Sequence, residues 1–209
     1  MKHKIEIDTW NRKEQYRFFK EFDSPFFNIT TRINCTNIFN YAETKKLSKF
    51  ICYLYAVMRA VNETEEFRLR IEDDGVVCFD AISAGAVVLK DDKSFAFAYM
   101  EYDKNFESFY EASEKEVKRA REMDELVPSE KNANVIHLSV LPWIDFTSIQ
   151  HPRKFGEDDS IPKITIGKIT DLNGIKNMPI NIEAHHALMD GYHVSKFLEK
   201  FAEIEESFR

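Results

Sequence analysis

Three imidazoles and one carboxylate stand within nine residues near the C-terminus, in the run His185-His186-Ala187-Leu188-Met189-Asp190-Gly191-Tyr192-His193. Histidine is the side chain whose ordinary pKa lets it take and return a proton near neutrality. The run closes an apolar stretch, and its Asp-Gly step signals a tight turn. It therefore reads as strand, turn, then helix, with imidazoles at the strand's end. General-base catalysis by one histidine, with Asp190 organising the turn, is the chemistry this spacing serves best. The plainer reading makes His185 and His193 structural and Asp190 the N-cap of the following helix. A metal shell from His185, His186, Asp190 and His193 is disfavoured. Adjacent strand residues point to opposite faces, and no cysteine or acidic cluster completes the ligand set.

Two other segments gain meaning beside this run. Ser139 ends a strand in His137-Leu138-Ser139-Val140-Leu141-Pro142-Trp143, where a partly buried strand serine is the plainer account. Arg12, in Trp10-Asn11-Arg12-Lys13-Glu14-Gln15-Tyr16, reads by itself as part of a solvated helix face. A Ser-His-Asp nucleophilic triad through Ser139 lacks the Gly-x-Ser-x-Gly elbow that exposes such a serine.

The elements that must position these residues follow from periodicity. A short strand over Lys4 to Ile7 leads to an amphipathic helix from about Asn11 to Phe22. Phe27, Ile29, Thr31 and Ile33 alternate as a strand does, and a buried helix covers about Leu47 to Val61. Asp73-Asp74-Gly75 joins Phe67–Ile71 to Val76–Phe79 as a hairpin. Strands near 85–89 and 94–101 precede a charged helix from about Phe106 to Arg121. Val135 to Leu141, Lys163 to Ile169 and Ile180 to Ala184 are later strands, and a helix from Tyr192 to about Glu206 closes the chain. Helices and strands mix without strict βαβ alternation, which predicts an α+β fold, a two-layer sandwich of helices on a mixed β-sheet.

The 209 residues suffice for a single domain, 1–209, that buries roughly 70% of its unfolded surface. A formal net charge of −7 with both signs interspersed argues against a nucleic-acid partner. Cys35, Cys52 and Cys78 are odd in number and widely spaced, which fits a reducing cytoplasm. Neither a signal-peptide core nor a membrane-spanning stretch is evident.

Taken together, Trp10-x-Arg12-Lys13-Glu14-x-Tyr16, Glu66-Phe67-Arg68-x-Arg70-Ile71, Ser139-x-x-Pro142-Trp143, Thr165 and the His185–His193 run resemble the chloramphenicol acetyltransferase family, of the trimeric catalytic type. The His-His-x-x-x-Asp-Gly element is also similar to that of dihydrolipoyl acyltransferases, carnitine acyltransferases and peptide-synthetase condensation domains. The resemblance implies transfer of an acetyl group from acetyl-CoA to the hydroxyl of a small acceptor, without an acyl-enzyme or a metal. It implies His186 as general base, Ser139 as donor to the tetrahedral oxyanion, and Thr165 as its support through a water. Asp190 would pair with Arg12. Ser139, Trp143 and Lys168 would contact the coenzyme. Phe19, Asp23, Phe95, Ile149, His151 and Arg153 would line the acceptor pocket. A homotrimer is implied, with each site between two subunits.

The departures fall mainly on the acceptor side. His151 and Arg153 stand where the family is usually apolar, Phe19 replaces a tyrosine, and Asp23 occupies a neighbouring position. Glu183 replaces a glutamine, and Ile169 a tyrosine. An unpaired charge is costly to bury, so Arg153 and Asp23 predict a more polar acceptor than chloramphenicol, which would then be handled poorly. A related acyltransferase with another donor or alcohol, and a non-catalytic trimeric binding protein, are the alternatives.

Overall fold

The computed structural model describes residues 1–73, 75–123, 126, 133–153 and 159–209. In chain order, its elements are β1 (Lys2–Lys4), α1 (Lys13–Phe19), β2 (Phe26–Asn34), α2 (Thr36–Lys45), α3 (Lys49–Glu63), β3 (Leu69–Glu72), β4 (Gly75–Phe79), β5 (Ser83–Leu89), β6 (Phe95–Met100), α4 (Phe106–Glu122), β7 (Val135–Val140), β8 (Lys163–Ile166), β9 (Thr170–Leu172), β10 (Ile175–His185) and α5 (Gly191–Glu206). Short 3-10 turns cover Ile7–Thr9 and Glu65–Arg68.

The main sheet has the order β2-β10-β8-β7-β5-β6, with β9 folded back on β10. β5, β7 and β8 are parallel neighbours and the remaining pairs are antiparallel. The mixed α+β sandwich is thus the fold. One face is apolar: Ala84, Ala86, Ile136, Leu138, Ile164, Ile166, Ile180 and Ile182 are buried in the main core. α2, α3 and α5 contribute to that core from the helix layer, with Leu54, Met58, Phe197 and Phe201 fully interior.

The opposite face is polar. Because paired strand residues share a face, the register makes one rung of Ser139, Thr165, Asn181 and Thr30, and an adjacent one of His137, Lys163, Glu183 and Asn28. Thr165 and Asn181 are fully buried, and Glu183 is 2% exposed. The chain between β7 and β8 covers part of this face: the Asn28 amide donates to the Ile149 carbonyl at 2.7 Å.

A second sheet, β1-β4-β3, forms a small core with Tyr16 of α1 and with Ala187 and Leu188, the residues just after His186. Arg70 ties this sheet to the main one. Its buried guanidinium donates to the carbonyls of Phe67, Leu69, Ala133 and Val135 at 2.6–2.9 Å. Burial pushes its pKa down to about 9.

Several boundaries differ from the sequence expectation. The first strand lies at Lys2–Lys4, with Ile7 in a 3-10 turn, and α1 ends at Phe19. The hairpin strand begins at Leu69, because Phe67 and Arg68 complete a 3-10 turn. Asp73 takes a left-handed φ of 46°, and Asp74 lies outside the described residues. α2 was not anticipated, and β10 begins five residues earlier than Ile180.

Candidate active site

His186 directly follows β10, in the first position of a turn. Its backbone N–H donates to the Pro25 carbonyl at 2.8 Å. Its ring stacks on Phe19 at 3.9 Å with planes 6° apart, and Phe27 tilts against it at 4.9 Å. Nδ1 faces into the protein without a partner among the described residues, which leaves Nε2 as the nitrogen available to a substrate. Phe18 and Phe22 extend the aromatic wall, each 5.1–5.2 Å from its ring neighbours.

Asp190 and Arg12 hold the turn from behind. Arg12 Nη1 donates to Asp190 Oδ2 at 2.6 Å, and Nη2 donates to the His186 carbonyl at 3.3 Å. Asp190 also caps α5, accepting the Tyr192 N–H at 3.0 Å. Its own N–H donates to His193 Nδ1 at 3.2 Å, closing a capping box. Burial pushes the Asp190 carboxyl upward, but Arg12 and His193 outweigh it and hold it below the ordinary range. The neighbouring His185 is a packing group. Its Nδ1 accepts the Ala187 N–H at 3.2 Å, its ring meets Phe26 edge-on, and burial pushes its pKa down to about 4.

Ser139 and Thr165 lie elsewhere. They face away from the helix layer, whereas His186 packs against Phe27, which pairs with Ala184 on the helix-covered side. His186 is five residues beyond the Ser139–Thr165–Asn181 rung and two strands across. Strand geometry separates His186 and Ser139 by roughly 20 Å within one chain.

The acceptor-side residues meet on the polar face. His151 Nδ1 donates to Glu183 Oε2 at 3.0 Å, and its Nε2 lies 3.0 Å from Thr165 Oγ1. Arg153 donates to Glu183 Oε1 through Nε, at 2.8 Å, and through Nη2, and stacks over Phe26. Asp159 bridges Arg153 and Lys163. Burial would raise the Glu183 carboxyl, but the bonds from His151 and Arg153 more than offset it and hold it at about 2. Arg153 is therefore not the unpaired charge anticipated from sequence: Glu183 and Asp159 answer it. Asp23 is exposed in the loop before β2. Phe95 opens β6, shares the face of Ser139, and packs against Phe97.

A cavity of about 660 Å³ opens beyond the ends of β5 and β7, between the start of α3 and the second half of α4. Ser48, Phe50, Lys118, Arg121 and Trp143 are on its wall. Lys168 is not; its side chain is exposed, while its N–H donates to the Ile144 carbonyl beside Trp143. Gly167 makes that approach possible: a Cβ there would lie 2.5 Å from the Pro179 ring and 2.8 Å from the Ile144 carbonyl oxygen. Asn181, Asp159 and Lys163 were missed from sequence. The alternation Asn181-Ile182-Glu183-Ala184-His185 was the available signal, since it marks one polar face on a central strand.

The profile of the chloramphenicol acetyltransferase family matches residues 1–202. Chloramphenicol acetyltransferase of Staphylococcus intermedius is 30% identical over 205 residues, covering 96% of this chain and 94% of that one. The Clostridium perfringens protein of the same name is 27% identical, covering 98% and 94%. A solved chloramphenicol acetyltransferase superposes with a TM-score of 0.85 at 31% identity, over 97% and 99% of the two chains. Azotobacter vinelandii dihydrolipoamide acetyltransferase, at 13% identity and a TM-score of 0.68, shares the fold over 94% of this chain and 87% of its own. The chain is an acyltransferase and belongs to the chloramphenicol acetyltransferase family.

Proposed function

We propose that the chain is one catalytic domain, an acetyl-CoA-dependent O-acetyltransferase for a small alcohol, working as a cytoplasmic homotrimer with its sites between subunits. The separation of His186 from Ser139 and Thr165 carries this reading. Two halves of an acyl-transfer site are built on opposite sides of one sheet, and a cyclic arrangement of copies joins one half to the other. His186 Nε2 takes the acceptor's hydroxyl proton as its oxygen attacks the thioester carbonyl. A positioned base of this kind contributes about 10²–10⁴-fold. Ser139, from the adjoining subunit, donates to the oxyanion. The intermediate then collapses, the C–S bond breaks, and the thiolate takes the proton back from His186.

The cavity beside Trp143 has room for the long donor, and Lys118 and Arg121 stand on its wall together with Asp91, Glu114 and Glu122. Lys168 lies near that end of the site. Phe19, Ile149, His151 and Phe95 remain candidates for contact with the acceptor. With Arg153 neutralised and Asp23 exposed, the charge argument for a polar acceptor loses its force, and chloramphenicol is the first acceptor to test.

The test is thiol release from acetyl-CoA, with and without chloramphenicol, for the parent and His186→Ala. Acceptor-dependent release that His186→Ala abolishes is expected. Acetyl-CoA binding without release, for chloramphenicol and a panel of alcohols, would instead favour the non-catalytic binding protein.

A further inference from the structure

Glu183, His151 and Thr165 form a chain of hydrogen bonds whose direction can be deduced. With its pKa held at about 2, Glu183 is a carboxylate near neutrality and only accepts. His151 Nδ1, 3.0 Å away, must therefore carry a proton. In the neutral ring Nε2 is then the acceptor, so the Thr165 hydroxyl, at 3.0 Å, donates to it. Arg153 locks the arrangement by taking Glu183 Oε1, which leaves Oε2 to His151. Among the described residues His151 is the one group bonded to the Thr165 hydroxyl, and it sets that hydroxyl's direction.

We propose that Glu183 and His151 are positioning residues that orient the Thr165 hydroxyl onto His151 Nε2, so that Thr165 meets the water of the tetrahedral intermediate only as a hydrogen-bond acceptor. The proposal rests on the reading that Thr165 serves the tetrahedral intermediate through a water. A water that donates one hydrogen to Thr165 has its other hydrogen free for the oxyanion. If the Thr165 hydroxyl pointed outward, the same water would accept from it and lose that preset orientation. Polarised hydrogen-bond chains of this kind fix a dipole before charge develops, which is where electrostatic catalysis gains most. Glu183, His151 and Arg153, three departures from the family pattern, thus form a single connected unit.

Glu183→Gln makes a sharp test. Arg153 keeps the amide oxygen, so the amide NH₂ faces His151, gives up the bond that Oε2 accepts from the His151 N–H at 3.3 Å, and donates to Nδ1. The ring must then protonate at Nε2, and the Thr165 hydroxyl reverses. In ¹⁵N-histidine-labelled protein, His151, identified by its loss in His151→Leu, is expected as the Nδ1–H tautomer in the parent and as Nε2–H in Glu183→Gln. The kcat for acetyl transfer is expected to fall about tenfold, as for one lost hydrogen bond of ordinary strength, with KM for acetyl-CoA unchanged. Adding His151→Leu frees the hydroxyl and is expected to restore most of that loss.

An unchanged tautomer in Glu183→Gln overturns the proposal. So does a double variant no better than the single one, since a purely structural network predicts added damage; melting temperatures verify that each variant is folded. Thr165→Ala sets the scale. If it keeps the parental kcat, the reading of Thr165 itself fails and takes the proposal with it, even where the tautomer reverses as deduced.

Discussion

Arg12 Nη1 and Asp190 Oδ2, 178 residues apart in sequence, meet at 2.6 Å and lock the turn that carries His186. Arg12 donates its second bond to the His186 carbonyl, so the pair fixes the backbone of the proposed base as well as the start of α5. Arg12→Ala strands a carboxylate that is one-third exposed, so the loss is about 2–4 kcal/mol, below the 3–5 typical of fully buried pairs. Thermal denaturation is expected to shift down by about 5–15 °C for a chain of this size, with kcat reduced. Arg12→Lys keeps the charge without the two-pronged geometry, and its melting temperature should fall between the two.

Ser139→Ala removes the proposed oxyanion donor and leaves the strand intact. Steady-state kinetics are expected to show kcat lowered by about 10²–10³ with KM for acetyl-CoA little changed. A parental kcat would remove Ser139 from the chemistry.

Gly167→Ala forces a Cβ against Pro179, Phe146 and the Ile144 carbonyl. Backbone cannot yield there without moving the Trp143 segment. Overpacking of this kind costs about 1–3 kcal/mol, and acetyl-CoA affinity is expected to weaken because Trp143 is on the cavity wall. Calorimetric titration with the coenzyme checks it.

Acid lability has two assignable parts. His185 titrates at about 4 in the folded chain against an ordinary 6.5, so the unfolded chain binds more protons between those values. Stability is therefore expected to decline as pH falls from 6.5 to 4, and His185→Gln should flatten that window. Glu183, at about 2 against 4.5, contributes stability that is fully present above 4.5 and lost as pH falls toward 2. Urea titrations across pH separate the two.

Much of this was legible in the sequence, for reasons that are local. The Asp-Gly step and the apolar run before it located β10, the turn and α5. Alternation located β2, and the three rows His137-Leu138-Ser139, Lys163-Ile164-Thr165 and Asn181-Ile182-Glu183 all show it. α2 stayed hidden because Thr36, Asn37, Phe39, Asn40 and Tyr41 are weak helix formers and Cys35 supplies no side-chain cap. Pro179 masked the first half of β10. It is tolerated where β8 has ended and Gly167 N–H takes its carbonyl at 2.9 Å. The Glu183–His151–Arg153 network spans 30 and 32 residues. No local period reports such pairing. Its charges read as bare until the register brought them together.

Mixing two inactive variants tests the central claim, that the proposed base and the oxyanion donor act from different subunits. His186→Ala and Ser139→Ala are co-expressed with different tags, and hybrid trimers are purified through both. Each cyclic trimer that carries both variants has one site in three that pairs an intact His186 with an intact Ser139 across a subunit interface, so about a third of the parental activity is expected. Hybrid trimers as inactive as either variant alone would place both residues in one subunit's site and contradict the account.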